Sequence, residues 1–217
     1  NSLTISFSAK AEFEFLFTDN HSEDNSWHMI SQIAGKDPRV KAIRFSKNFG
    51  FQKSLWVNYL HAKGDAIFQL DADLQDPPEL LAEFYEKWQS GYKIVYGIRK
   101  TRQENRFMVL FRRFGYWLVN AVSEHHIPQN VGDFQLLDRS VIDTLNKGRV
   151  ANPYLRGMIA KTGMKYIGVP YDRARRKKGK SKFNVINIMQ LGLNGILNHS
   201  SLPLRISSLI GSIILFL

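Results

Sequence analysis

Between residues 13 and 98, short stretches rich in β-branched and aromatic side chains alternate with longer stretches of helical periodicity. The spacing predicts strands over Leu3–Phe7, Phe13–Thr18, Val40–Ser46, Ala66–Leu70 and Lys93–Ile98, with helices over Trp27–Ala34, Phe51–Ala62 and Glu79–Trp88. Such alternation is the pattern of a mostly parallel sheet carrying helices on both faces, since parallel strands need crossovers that cover the sheet. In sheets of that kind ligands bind beyond the carboxyl ends of strands, so residues just after a strand are where chemistry is sought first. Ahead of the last helix, Asp76 is expected as N-cap, with Pro77 and Pro78 in the first turn and Glu79 placed for a capping box.

The sharpest local feature is Ile67-Phe-Gln-Leu-Asp71-Ala-Asp73-Leu-Gln75-Asp76-Pro-Pro. A hydrophobic strand runs straight into two carboxylates two residues apart. On an extended segment such side chains point the same way, so Asp71 and Asp73 can converge on one ion. Oxygen-only donors, with Gln75 as a third, suit Mg²⁺ or Mn²⁺, which bridge carboxylates to phosphates. Elsewhere Asp-x-Asp is commonly a solvated turn. A second motif is Gly132-Asp133-Phe, where Asp133 precedes an apolar strand and is a candidate to orient or deprotonate an acceptor, or simply a turn former. In a third, Phe17-Thr-Asp19-Asn20-His21-Ser22-Glu23-Asp24, polar residues directly follow a strand and either meet a nucleoside base or ribose or cap the helix starting near Ser26.

Charge narrows the partners. The 217 residues carry 30 Lys+Arg against 19 Asp+Glu, a net +11, and no cysteine. The absence of cysteine removes thiolate chemistry and disulfides and suits a reducing, cytoplasmic setting. The basic excess calls for an anionic partner, and it is local. Seven of the ten residues from Arg173 to Lys182 are basic, and a second cluster holds Arg99, Lys100, Arg102, Arg106, Arg112 and Arg113. Gly179-Lys-Ser181-Lys182 can wrap a phosphate with backbone N–H, hydroxyl and charge together. The plainer reading is a solvated basic loop that touches nucleic acid or lipid headgroups without specificity.

The tail differs in kind. Asn184–Asn198 sets Ile186, Met189, Leu193, Ile196 and Leu197 at helical spacing opposite an uncharged stripe of Asn and Gln, which suits a helix lying in a membrane interface as well as one packed on a core. Ile206–Leu217 is almost wholly apolar, shorter than the roughly 20 residues of a span, and reads as the start of a truncated membrane helix.

Taken in order, these motifs resemble family 2 glycosyltransferases of the GT-A fold, above all the branch that charges polyprenyl phosphates. Arg44-Phe-Ser-Lys-Asn48-Phe-Gly50 resembles that family's Arg-Asn-x-Gly segment. Gly64-Asp65 and Asp71-Ala-Asp-Leu-Gln-Asp-Pro-Pro resemble its metal-site signature, Gly132-Asp133-Phe its acceptor-side motif and Gly179-Lys-Ser-Lys its phosphate loop. Ser201-Leu-Pro-Leu-Arg205 corresponds to the segment before the branch's first membrane helix. Two departures stand out. The family's Pro-x-Tyr/Phe-Asn-Glu segment is not found after Leu3–Phe7, which leads us to expect a stretch missing there, and Asp19-Asn20-His21-Ser22 replaces the usual Asp-Asp-Gly-Ser. An Asn at the second position cannot accept a base N–H as a carboxylate does.

The resemblance implies three parts: a catalytic GT-A domain over residues 1–183, an amphipathic juxtamembrane helix over 184–200 and the start of a membrane region over 201–217. It implies transfer of one sugar, by best match from UDP-glucose, to a polyprenyl phosphate (undecaprenyl or dolichyl) with inversion, at the cytoplasmic face of the cell membrane. Mg²⁺ or Mn²⁺ would sit on Asp71, Asp73 and Gln75, while Asp19, Asn20, Asp71 and Arg99 would hold the nucleotide sugar. Arg112, Arg176, Ser181 and Lys182 would grip the lipid phosphate, with Asp133 and Asp73 as the catalytic pair. Partners expected are the nucleotide sugar, the lipid, the membrane and a second copy of the chain, and not nucleic acid. Three other readings stay open on the residues alone: a basic nucleic-acid- or membrane-binding domain, an Asp-nucleophile phosphatase, against which Leu74-Gln75 argues, and a catalytically silent membrane scaffold.

Overall fold

In a computed structural model, residues 11–73, 75–100, 131–148 and 153–174 are described, together with 208, 211, 212 and 214. Expectations for Leu3–Phe7, for Arg112, Arg176, Ser181 and Lys182, and for the helix over Asn184–Asn198 lie outside them. The chain forms β1 (Phe15–Asp19), α1 (Ser26–Lys36), β2 (Val40–Arg44), α2 (Phe51–His61), β3 (Ala66–Gln69), a 3-10 turn (Pro78–Leu80), α3 (Leu81–Gln89), β4 (Ile94–Arg99), β5 (Val131–Asp138), α4 (Arg139–Asn146), α5 (Leu155–Lys161) and β6 (Tyr166–Tyr171). Within the described residues, each expected strand and helix appears within a few residues of its predicted bounds.

The sheet corrects one expectation. Strands β1 and β2 pair in parallel, and the other four lie in the order β3-β5-β4-β6. β5 runs antiparallel to both β3 and β4, whereas β4 and β6 are parallel, so the sheet is mixed rather than mostly parallel. The reversal has a useful result. The carboxyl ends of β3, β4 and β6 and the amino end of β5 meet along one edge, and that edge receives Asp71, Arg99, Tyr171 and Asp133.

In the four-stranded sheet, side-chain alternation sends apolar residues to two cores. On one face Ile94, Tyr96, Val131 and Leu137 pack with Leu55 and Tyr59 of α2, Val141, Ile142 and Leu145 of α4, and Leu155 and Ile159 of α5. On the other, Val95, Phe134, Leu136, Val169 and Tyr171 surround Phe84 of α3, which is fully buried. Gly97 is required where these layers cross: a Cβ there would lie 2.5 Å from the Phe134 ring and 2.8 Å from that of Tyr171. Helix α2 also ties the two sheets, for Asn58 accepts from the Thr18 hydroxyl of β1 while Tyr59 reaches β3 and β5.

The expected cap fails. Pro77 and Leu80 occupy the cap positions of the 3-10 turn and α3, and neither supplies a side-chain cap. Asp76 is instead buried and claimed by Tyr171 and Arg173, so the capping box with Glu79 does not form. Ser208, Gly211, Ser212 and Ile214 are helical and exposed. Among the described residues no helix is long and apolar enough to cross a membrane, and most of the expected membrane segment over 201–217 lies outside them.

Candidate active site

Strands β3 and β5 present mirrored sequences, Gln69-Leu-Asp71 and Asp133-Phe-Gln135. Their register pairs Gln69 with Gln135, and two residues further along the same face stand Asp71 and Asp133. Behind the acids, Tyr59 donates to Gln69 Oε1, and Gln135 Nε2 donates to the Tyr59 oxygen at 2.9 Å. All three side chains are buried. Burial first, and then the nearby Asp133 and Asp71 charges, drive the Tyr59 phenol well above its usual range. It is a neutral hydrogen-bonding strut between the two strands.

Ahead of this strut the carboxylates crowd. Asp71 is pushed up to about 6, by burial first and then by the charges of Asp133, Asp76 and Asp73, against the pull of Arg173. The Arg173 guanidinium stands 3.8 Å from a carboxylate oxygen of Asp71 and 3.8 Å from one of Asp73, so both acids lie beside the same guanidinium. It also forks onto Asp76 at 2.9 and 3.3 Å. Tyr171 donates to Asp76 as well, and burial together with that bond pushes its phenol up to about 12. Asp133, which lies within β5 rather than ahead of it, is held at both oxygens by Arg156 of α5, at 3.0 and 2.8 Å.

The turn of acids is stitched to the start of the basic segment. Gln75 Nε2 donates to the Ala174 carbonyl at 3.1 Å, and the Ala174 N–H returns to the Gln75 carbonyl at 2.9 Å. The Gln75 N–H closes the turn on Asp73 at 3.1 Å. Arg99 ends β4 beside this edge, its Nε 3.4 Å from the Tyr171 hydroxyl. A Cβ on Gly132 would come 2.8 Å from the Arg99 guanidinium, so that side chain lies directly against the glycine before Asp133.

The second cluster lies at the ends of β1 and β2. Asp19 is buried, pairs with Arg44 at 3.3 Å and accepts the Ser22 N–H at 3.1 Å. Asn20 donates to Asn48 at 2.7 Å and accepts the Phe49 N–H at 2.9 Å. The two motifs read separately, Asp19-Asn20-His21-Ser22 and Arg44 to Gly50, therefore form one hydrogen-bonded unit, closed by Gly50 in the left-handed region at φ 91°. At the start of α1 the Asp24 side chain accepts the Ser26 N–H at 2.9 Å, while Asn25 at the cap position supplies no side-chain cap.

The donor set of the acid turn fits a hard divalent cation: aspartate oxygens and a side-chain amide, with no sulfur or imidazole. Among the described residues there is no group of three or more His, Cys, Asp or Glu side chains that could hold a metal ion. Magnesium is commonly held by one or two carboxylates that share it with water and substrate phosphates.

Known proteins place this architecture. Residues 5–145 match the family model for glycosyl transferase family 2. The chain is 38% identical over 203 residues to the uncharacterized glycosyltransferase YkcC of Bacillus subtilis, covering 93% of this chain and 63% of that protein. It is 36% identical over 204 residues to a prophage bactoprenol glucosyl transferase homolog of Escherichia coli, covering 94% and 67%. With the bactoprenol glucosyl transferase of Shigella phage SfV it shares 36% over 201 residues, covering 92% and 66%. The chain thus spans about two thirds of these relatives' length. Among solved structures it resembles a mannosyltransferase of Pyrobaculum calidifontis, in complex with GDP-Man and Mn²⁺, with a TM-score of 0.51 at 16% identity, covering 77% of this chain and 49% of that one. That likeness supports a GT-A-like α/β fold with a mixed sheet. With the family model over most of its length and curated relatives above 30% identity, the chain belongs to glycosyl transferase family 2.

Proposed function

We propose that the protein transfers one sugar from a nucleotide diphosphate sugar to a polyprenyl phosphate with inversion, at the cytoplasmic face of a membrane. UDP-glucose and undecaprenyl phosphate are the preferred pair, because relatives at 36% identity are named bactoprenol glucosyl transferases. The observation that carries the reading is the convergence of Asp71 and Asp73 at the edge where β3, β4 and β6 end.

Asp71, Asp73 and Gln75 would hold Mg²⁺ or Mn²⁺. Bound there, the ion supplies Lewis-acid charge to offset what develops on the diphosphate leaving group. Asp19 and Asn20 form the nucleoside side of the site, their geometry fixed by Arg44 and Asn48. Arg99 stands at the sheet edge for the phosphates. Arg112, Arg176, Ser181 and Lys182 grip the lipid phosphate by charge-assisted and bidentate bonds.

A phosphate monoester has a second pKa near 6, so at neutral pH the acceptor is mostly an ionised nucleophile already. Its oxygen attacks the anomeric carbon from the face opposite the departing diphosphate, and little proton abstraction is needed. Asp133, clamped by Arg156, keeps the acceptor oriented and repels misplaced anions rather than serving as an obligatory base. Catalysis rests on positioning and electrostatics. Residues 184–217 attach the enzyme to the membrane that carries its acceptor, and self-association completes the assembly.

The test is a panel of labelled nucleotide sugars offered to the full-length protein with undecaprenyl phosphate, dolichyl phosphate or unphosphorylated polyprenol in vesicles with Mn²⁺. Label extracted into organic solvent with a polyprenyl phosphate, and not with the free alcohol, supports the reading. Equal labelling of the alcohol, or none with any donor, overturns it.

A further inference from the structure

Arg173 opens the basic segment, yet its guanidinium is not directed toward an external anion. It faces three carboxylates of the chain's own acid turn: Asp76 through a two-bonded fork at 2.9 and 3.3 Å, and Asp71 and Asp73 each at 3.8 Å. The Asp76 fork fixes its position, because Asp76 is buried and is also bound by Tyr171. Backbone and side-chain bonds between Gln75 and Ala174 hold the two segments in the same register. A fixed positive charge so close to two carboxylates opposes a second cation on the same pair, and the effect is strong where water is partly excluded.

We infer that Arg173 is the built-in countercharge of the Asp71–Asp73 pair. It positions the acid turn through Asp76 and weakens that turn's hold on a free divalent cation. The inference rests on the reading above, in which Asp71 and Asp73 take the metal. It assigns Arg173 to the donor side of the site, whereas composition alone groups it with the anion-binding residues that follow.

The experiment is Mn²⁺ binding to the full-length protein without nucleotide, read from the electron paramagnetic resonance signal of free Mn²⁺, with circular dichroism as the check on folding. Arg173→Gln removes the charge and is expected to tighten Mn²⁺ binding about tenfold, the order expected for losing one nearby like charge. Arg173→Met, which keeps the packing of the aliphatic stem, is expected to give the same rise and covers the case in which the glutamine variant does not fold. Arg173→Lys, which keeps the charge, should stay within about threefold of wild type. A merely structural role for Arg173 predicts weaker binding in the neutral variants. A folded neutral variant that binds Mn²⁺ no tighter than wild type overturns the inference, as does a lysine variant that binds as tightly as the neutral ones. Asp73→Asn separates the two levels. If it leaves Mn²⁺ binding unchanged, the metal reading falls and this inference with it. If it weakens binding while the neutral Arg173 variants do not tighten it, only the role of Arg173 is lost.

Discussion

Strand β5 carries an aspartate at each end, and the two are used in opposite ways. Asp138, at the carboxyl end, caps α4 by accepting the Ser140 N–H at 2.9 Å and also accepts from Trp88 Nε1 at 2.7 Å and Lys93 Nζ at 2.9 Å. Burial would raise it, but these donors outweigh burial and hold it well below the ordinary carboxylate range. Asp133, at the amino end, looks toward Asp71, which burial and neighbouring acids push up to about 6. At one end of the strand the charge is fully satisfied by donors and adds stability. At the other, like charges are gathered and only partly offset by Arg156 and Arg173, which is the pattern expected of a candidate functional edge rather than a structural one.

Five variants break or sharpen that contrast, and the largest effect belongs to the edge at the amino end of β5. Asp73→Asn should lower sugar transfer by about 10³-fold, on the order of 4 kcal/mol of barrier, while thermal unfolding stays near wild type. A comparable loss of folding stability would erase the distinction between the two ends. Asp138→Ala should do the reverse, costing about 2–3 kcal/mol of stability by removing a helix cap and stranding buried donors, with activity per folded molecule unchanged. Because the folded-state value of Asp138 is depressed, its contribution is present above the ordinary aspartate value and is lost as pH falls below it. Chemical denaturation across the acid range should therefore show a shallower pH dependence in Asp138→Asn than in wild type. Asp133→Asn should reduce turnover about tenfold to a hundredfold, leaving the shape of the pH–rate profile unchanged. Complete loss with a shifted acid limb would make Asp133 a base. The smallest effect is expected of Trp88→Phe, about 1 kcal/mol in unfolding, for one lost hydrogen bond to Asp138.

Much of this was legible in the residues. Hydrophobic periodicity located the described elements, and the placement of Asp71-Ala-Asp73 directly after an apolar strand pointed to the edge that carries the candidate site. The direction of β5 was not legible, because the long connection over residues 100–130 separates it from β4 and an apolar strand reads alike in either direction. The Asp76 cap failed for a related reason. Asp before Pro-Pro is a good local start signal, but Tyr171 and Arg173, almost a hundred residues later, compete for the same carboxylate and win. Arg156 gave no signal in its own neighbourhood, since only the packing of α5 brings it to Asp133. The Tyr59–Gln69–Gln135 strut had a faint one in the mirrored Gln-Leu-Asp and Asp-Phe-Gln, which becomes meaningful once β3 and β5 are known to be antiparallel.

The central claim is that the paired acids of the β3 turn hold the sugar donor through a divalent cation for transfer to a lipid phosphate. The most direct measurement is transfer of label from UDP-glucose to undecaprenyl phosphate in vesicles, comparing wild type with Asp73→Asn before and after chelation and Mn²⁺ readdition. The account predicts lipid-linked label in wild type that disappears with chelator and returns with Mn²⁺, and little or none in the variant throughout. Labelling by Asp73→Asn at the wild-type rate would contradict it.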